Sequence, residues 1–360
     1  MNLTYGIRYA GSKAKILNKI SDMIVDLPVK KVLDGFSGST RVSQLFKQLG
    51  YTTYSNDKAI YSRILAETFL INKKEKSYYI DIISHLNNLK GKDGWFSKHY
   101  GGNENNGLSI QSDGLKKPFQ IHNTRKLDAV REEIDKIYKN DSVEKSVILT
   151  SLILALDKVQ NDLGHQVSYL KNWSSKSYNT FEMTVPDFEI DNLNHKVYNK
   201  NIFEIKDSFD LIYFDPPYGT SNLTTPTSRV RYGSYYHLWT TIILNDKPLL
   251  FGKAKRREDV SSDNKEGAVS VFESTNKEIV KNGFKKLFDM NSNYYLLSYS
   301  NRSKLNINEI INLTNHLELV KLIQFPHKEN SQAKTIINNK YTILHDEENM
   351  EILLLLKRKI

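Results

Sequence analysis

Short apolar runs alternate with helix-spaced stretches early in the chain, and this alternation restricts the possible folds more than any other feature. Lys31-Val32-Leu33-Asp34 is a brief apolar run that ends in turn-forming residues. Residues 41–49 then set Val42, Leu45, Phe46 and Leu49 at helical spacing, and Gly50 stops the helix. A second β-rich run covers residues 51–56, after which Ile60, Ile64, Leu65 and Phe69 mark another helix. Strand, helix, strand, helix with short links predicts a parallel α/β sheet. The pattern breaks at residue 73. From 73 to 195 the text is helical or loop-like, with a Gly- and Asn-rich stretch at 101–107 and helical periodicity at 125–138 and 147–159. Strand-like runs resume at 197–199, 210–214 and 294–300, the last after a helical segment at 272–288. Residues 317–324 and 352–357 read as a closing pair of strands, and no internal repeat is present. The expected organisation is one discontinuous domain, residues 1–72 and 196–360, interrupted by an insert at 73–195.

Composition narrows the function classes. The 360 residues carry 51 Lys+Arg against 41 Asp+Glu, a net charge of +10 that suits a polyanionic partner. With 21 Tyr, 15 Phe and 3 Trp the chain has more to bury than a disordered one. The first twenty residues mix Arg8, Lys13, Lys15 and Lys19 with single apolar residues, so no secretory leader is expected. The most apolar stretch, 147–156, is about half the length that crosses a bilayer. A cytoplasmic, nucleoid-associated protein away from membranes is the expectation. Zero cysteines exclude a disulfide framework, a thiolate metal site and a cysteine nucleophile. The nine histidines are scattered, so no metal is expected, and one such as His237 reads as structural.

The chemistry-bearing residues fall where strand-like runs end. Asp34-Gly35-Phe36-Ser37-Gly38-Ser39 links the first run to its helix. Small residues there let a ligand approach the backbone, and the helix N-terminus offers N–H groups to a carboxylate. Such a turn is also ordinary α/β structure, and it lacks the third glycine of the dinucleotide fingerprint. Asp57, just past the second run, adds a carboxylate that accepts both hydroxyls of a ribose or else caps the next helix.

Asp215-Pro216-Pro217-Tyr218 is more specific. It follows Asp210-Leu211-Ile212-Tyr213-Phe214 and so falls at the carboxyl edge of the sheet, where α/β proteins bind ligands. Prolines end strands everywhere. A plain turn, however, gives no reason for an acid, two fixed backbones and an aromatic ring to meet there. An exocyclic nucleobase amine does, because its lone pair is delocalised into the ring and the nitrogen is a poor nucleophile. Asp215 and the Pro216 carbonyl each accept one amino hydrogen, which draws the nitrogen towards tetrahedral geometry and aims its lone pair at an electrophilic methyl group. The prolines hold both acceptors in place beforehand. Tyr218 offers a face for a base extruded from the duplex, worth roughly 1–3 kcal/mol.

With these motifs in this order the chain resembles the Dam-like, alpha-order DNA adenine-N6 methyltransferases of the type II modification methylase kind. The likeness spans nearly the whole chain. Tyr9-Ala10-Gly11-Ser12-Lys13 resembles the family's N-terminal motif, residues 34–39 its methionine-binding loop, and Asn56-Asp57 its ribose-binding turn. Asp215 to Tyr218 is similar to its catalytic tetrapeptide, and Leu297-Ser298-Tyr299-Ser300-Asn301 to the strand beside it. Residues 228–239, 244–248 and 253–257 are similar to one subgroup. The resemblance implies a seven-stranded, Rossmann-like methyltransferase sheet with residues 73–195 as a mainly helical target-recognition insert. It implies S-adenosylmethionine as cofactor, double-stranded DNA as substrate and a companion restriction endonuclease. Asp34, Phe36 and Gly38 would line the cofactor, Asp57 would hold its ribose, and Tyr9 and Lys13 would lie near it or the flipped base. Asn201 and Ile202 would meet its adenine, and Asp215 would face both cofactor and base. Thr40 stands where many members have a further glycine, which would tighten the loop. Asn201 replaces the usual aspartate and presents an oxygen without the charge.

Methylation at a cytosine ring carbon needs a thiolate, which this chain lacks. Amino methylation does not. The tetrapeptide leaves adenine and cytosine amines both open, with an RNA substrate or a catalytically silent DNA-binding protein as further alternatives. Residues 73–195 balance 17 basic against 17 acidic residues, whereas 219–270 hold eight basic and five acidic. Arg229, Arg231, Lys253, Lys255, Arg256 and Arg257 are therefore expected to grip phosphate while the insert reads base edges or shape. A solvated basic turn is the alternative for 253–257. Tyr235, Tyr236 and Trp239 have helical spacing that fits a core, and the family likeness places them beside the base pocket.

Overall fold

Val32 and Leu33 point to opposite faces of strand β1 (Lys31–Asp34), yet neither is exposed, as a strand covered on both sides requires. The computed structural model describes residues 3–217, 232–260, 270–274, 276–301, 303–326, 335–337, 340–342 and 350–359. After helix α1 (Leu17–Ile24) and β1 come α2 (Arg41–Gln48), β2 (Thr52–Asn56) and α3 (Ile60–Ala66), which runs on into a π-helical turn at Glu67–Ile71. Four helices follow: α4 (Lys76–Asn87), α5 (Trp95–Tyr100), α6 (Ile121–Ile137) and α7 (Val143–Val159). Strands β3 (Lys196–Tyr198) and β4 (Phe209–Phe214), then helices α8 (Tyr232–Tyr235), α9 (His237–Leu244) and α10 (Lys277–Phe288), lead to β5 (Ser292–Ser300). Helix α11 (Ile307–Leu313), β6 (Leu317–Pro326) and β7 (Met350–Arg358) close the order.

The seven strands form one sheet in the order β6-β7-β5-β4-β1-β2-β3. Pairs β1–β4, β4–β5 and β2–β3 are parallel, while β7 runs antiparallel to both β5 and β6. This is the mixed α/β arrangement the sequence predicts, and the closing pair of strands forms as expected.

Contacts divide the chain into two compact units. The first comprises Met1–Leu17, Ser37–Lys200 and Tyr232–Ala268. Its core gathers Leu65, Tyr79, Leu127, Val130, Leu152, Leu156, Leu238 and Ile242, all fully buried. Helix α7 is buried nearly all round, which explains the run of apolar residues at 147–156: it is a central helix rather than a surface one. Among the described residues no helix is long and apolar enough to cross a membrane. The second unit comprises Asn18–Phe36, Asn201–Arg231 and Val269–Ile360. There Phe284 of α10 meets Tyr299 edge-on at 5.4 Å, and Phe288 meets Phe214 and Tyr295 in the same way.

Candidate active site

In the second unit β1 and β4 are parallel neighbours with Asp34 opposite Tyr213. The Gly35 N–H continues that ladder by donating to the Tyr213 carbonyl at 2.9 Å. Asp34-Gly35-Phe36 and Asp215-Pro216-Pro217, far apart in sequence, therefore leave the same edge of the sheet side by side. Space at Gly35 is tight. A Cβ would lie 3.1 Å from Ile202 Cδ1, 3.3 Å from the Tyr213 carbonyl oxygen and 3.4 Å from Phe214. Phe36 is half-buried and stands edge-on to Phe272 at 5.6 Å and to Phe214 at 6.5 Å. Pro216 is buried, while Asp215 and Pro217 are half-buried at the edge. Ile202 is buried against Gly35, but Asn201 is exposed and its side-chain oxygen accepts the Phe203 N–H at 3.2 Å, capping a short 3-10 turn. Tyr218, Arg229 and Arg231 lie outside the described residues.

In the first unit the N-terminal motif packs into a cluster of tyrosines. The Tyr9 ring stacks on Tyr236 at 4.7 Å and tilts against Tyr232 at 5.4 Å and Tyr61 at 6.2 Å. The Tyr236 hydroxyl accepts the Ala10 N–H at 2.6 Å, and the Tyr232 hydroxyl donates to the Ala10 carbonyl at 3.3 Å. Burial holds the phenols of Tyr9 and Tyr61 well above their ordinary range, so both stay neutral. Gly38 adopts φ +48°, and a Cβ there would lie 2.9 Å from the Tyr9 ring. Its N–H donates to Asp57 Oδ2 at 2.8 Å, while Asp57 Oδ1 accepts the Ala59 N–H at 2.9 Å. Asp57 thus ties the glycine turn to the start of α3 and also makes the local turn expected of a helix-leading aspartate. Burial raises its carboxyl above the usual value, against the opposing pull of its backbone N–H donors. Lys13 is buried, in a 3-10 turn at Lys13–Lys15.

A family model described as D12 class N6 adenine-specific DNA methyltransferase matches residues 9–299. That span opens at Tyr9, closes on β5 and takes in both motif-bearing strands. The chain belongs to this family. It is 28% identical to Modification methylase StsI of Streptococcus sanguinis, over 98% of this chain and 52% of that protein. It is 26% identical to Modification methylase LlaI of Lactococcus lactis subsp. lactis, over 98% of this chain and 55% of the relative. Type II methyltransferase M.NlaIII of Neisseria lactamica is 26% identical, with 91% of this chain and 94% of its own length covered. The chain spans about half the length of StsI and LlaI and nearly all of M.NlaIII.

The basic stretch of this D12 family member separates into distinct roles. Leu250–Phe251 and Arg256–Arg257 pair as a small antiparallel hairpin. Arg257 is 4% exposed, and its guanidinium forks onto Asp246 at 2.8 and 2.7 Å and onto Asp259 at 2.8 Å. The phosphate role expected of Arg257 is therefore corrected: two carboxylates hold it inside the protein as a structural tie. Arg256 lies over the Phe251 ring at 4.5 Å, Lys253 is exposed and Lys255 is half-exposed. Tyr100 donates to the Lys255 carbonyl at 2.7 Å and Tyr169 to the Ala254 carbonyl at 3.3 Å, which fixes the hairpin to residues of the 73–195 segment. Tyr236 and Trp239 are 1% exposed and belong to the core. Buried His237 donates from Nε2 to the Gln166 carbonyl at 3.0 Å, and burial lowers its pKa to about 3. Among the described residues no group of His, Asp and Glu could hold a metal ion.

Sequence reasoning passes over two contributors. Tyr61, in contact with Tyr9, sits at helical spacing with Ile64 and Leu65 and so reads as plain apolar face. Arg8 reads as one more surface cation, because nothing in the spacing connects it to Asp157 and Asp162, its partners in the fold.

Proposed function

We propose that the protein is a sequence-specific DNA methyltransferase that moves a methyl group from S-adenosylmethionine to the exocyclic amine of an adenine flipped out of double-stranded DNA. The observation that carries this reading is the emergence of Asp34-Gly35-Phe36 and Asp215-Pro216-Pro217 from adjacent parallel strands at one sheet edge. The residues fit the cofactor. Gly35 leaves bare backbone where a side chain would be crowded, and Phe36 is only half-buried. In the second unit Asp34, Phe36, Ile202 and Asp215 are assigned to it, with Asn201 at the adenine end. In the first unit the family's motifs assign Tyr9, Lys13, Gly38 and Asp57. When bound, S-adenosylmethionine supplies an electrophilic methyl group on a sulfonium.

The chain's own contribution is the acceptor pair. Asp215 and the Pro216 carbonyl would each accept a hydrogen bond from one amino N–H, so that the nitrogen lone pair is drawn out of conjugation and aimed. As the N–CH3 bond forms and the S–CH3 bond breaks, one amino proton leaves towards Asp215 and solvent. The rigid dipeptide presents those acceptors without reorganisation. Tyr218 is assigned to stack on the flipped base. Residues 73–195 are assigned to target recognition, and Lys253, Lys255 and Arg256, with Arg229 and Arg231, to the phosphate backbone. Relatives named as modification methylases and type II methyltransferases support the methyltransferase reading; a cytoplasmic place on the nucleoid and a companion restriction endonuclease belong to the same proposal.

Mapping modified bases in the DNA of a host that expresses the protein tests this. N6-methyladenine at one recurring sequence is expected. N4-methylcytosine would move the assignment to cytosine, and unmodified DNA would favour a silent binding protein. Asp215→Ala should lower turnover at least ~10²–10³-fold and leave cofactor binding within a few-fold. A variant with near-normal turnover would refute the role given to Asp215.

A further inference from the structure

Arg8 immediately precedes Tyr9, and its backbone N–H and its guanidinium are engaged by residues about 150 positions away. Its backbone N–H donates to Asp157 Oδ2 at 2.9 Å. Its Nε and Nη2 donate to Asp157 Oδ1 at 3.2 and 3.1 Å, and Nη2 also donates to the Asp157 carbonyl at 2.8 Å. Its Nη1 lies 2.8 Å from Asp162 Oδ1. Asp157 belongs to the last turn of α7, whereas Asp162 lies beyond the helix end in the loop that follows. An arginine that merely fastened the N-terminal segment to α7 would need Asp157 alone. The second carboxylate joins the segment to the loop as well.

That loop leads on. Asp162 is 8% exposed, with Lys176 at 3.7 Å and the Gly164 N–H at 3.2 Å, and it bridges Tyr169 in an isolated antiparallel pair. Tyr169 donates to the Ala254 carbonyl of the basic hairpin. On the other side of Arg8, Tyr9 lies against Gly38. One contiguous path within the first unit therefore runs from the hairpin through Tyr169, Asp162 and Arg8 to Tyr9 and the glycine turn.

We infer that Arg8 is a positioning residue that transmits the placement of the DNA-gripping hairpin and the loop carrying Asp162 to Tyr9 and the Gly38 turn, so that transfer is fast only on correctly seated DNA. This rests on the methyltransferase reading above. Arg8 touches neither substrate nor reacting atoms in this scheme; it acts through Tyr9. A misplacement of about 1 Å at a reacting centre costs on the order of 100-fold in rate, so a loosened tie is felt in turnover before it is felt in binding.

The test uses the full chain, with Arg8→Ala, Asp162→Asn and the double variant, on duplexes bearing the site found by base mapping. The expected result is a fall in kcat of roughly 10- to 50-fold while KM for DNA stays within about threefold. The double variant should lose no more than the worse single one, since both cut the same tie. Arg8→Lys should recover only part of the rate, because an ammonium does not fork across two carboxylates. A lower melting temperature with unchanged kcat, or losses that simply multiply in the double variant, would overturn the inference and leave Arg8 a structural anchor. If the wild-type chain methylates no DNA, the functional reading fails by itself. Hydrogen exchange at residues 9–13 then decides for Arg8: unchanged exchange in Asp162→Asn sinks the tie, and exchange that rises there but not in α10 upholds it.

Discussion

At the scale of single residues, the first glycine turn shows how backbone conformation dictates side-chain choice. Gly38 takes a left-handed conformation, φ +48°, with the Tyr9 ring where a Cβ would go. Gly38→Ala combines that strain with a clash, and should cost about 1–3 kcal/mol in urea unfolding together with weaker cofactor binding. An unchanged denaturation midpoint would show that the turn relaxes freely. Thr40 is less expected. It is fully buried at φ +64°, a conformation that disfavours a β-branched residue. A glycine, which many family members carry there, adopts it without strain. Here the Thr40 hydroxyl accepts from Gln44 Nε2 at 3.0 Å, a buried bond that offsets part of the strain. From the sequence Thr40 was legible only as a departure from a family pattern; the sign of its φ depends on how the turn closes onto α2.

At the scale of elements, the small hairpin at 250–257 separates side chains that the sequence makes look alike. Lys253, Lys255, Arg256 and Arg257 read as one basic run, and pairing Phe251 with Arg256 and Leu250 with Arg257 decides which of them turns inward. Arg257→Ala leaves Asp246 and Asp259, both partly exposed, without their shared cation and should destabilise the protein by about 1–2 kcal/mol in chemical denaturation. Lys253→Ala should leave stability unchanged. It should instead weaken DNA binding and reduce the slope of log K against log salt by about one. Identical salt slopes for Lys253→Ala and wild type would remove that lysine from the phosphate interface. The helix at 125–138 was legible from its apolar spacing and the one at 147–159 from the length of its apolar run, and the structure places them at Ile121–Ile137 and Val143–Val159. The tyrosine cluster was not, since Tyr9, Tyr61, Tyr232 and Tyr236 come from three stretches of chain that no local rule relates.

For the molecule as a whole, histidines whose pKa the fold lowers contribute to the loss of stability in acid. Burial lowers the pKa of His99, His165, His195 and His237, the last to about 3. An unfolded histidine takes up a proton near 6.5, so between that pH and the folded value the unfolded state binds more protons. Stability from these groups is complete above about pH 6.5 and is lost as pH falls through the window towards 3. Fully buried His237 should account for on the order of 2–3 kcal/mol between pH 6.5 and 4.5. His237→Gln, which keeps a donor for Gln166, should flatten that arm of the curve. A mutant that loses stability on acidification as steeply as wild type would assign the acid limit elsewhere.

The amino-acid order alone determined the alternation of strands and helices and the two motifs at strand ends. Each of these is a local pattern of apolar spacing, turn chemistry or a fixed peptide. Only the tertiary structure decided that β1 and β4 lie side by side, that Arg257 faces inward and that Arg8 joins two distant carboxylates. Those outcomes depend on which surfaces meet once the chain closes on itself, and contacts between residues far apart in sequence leave no periodicity to read.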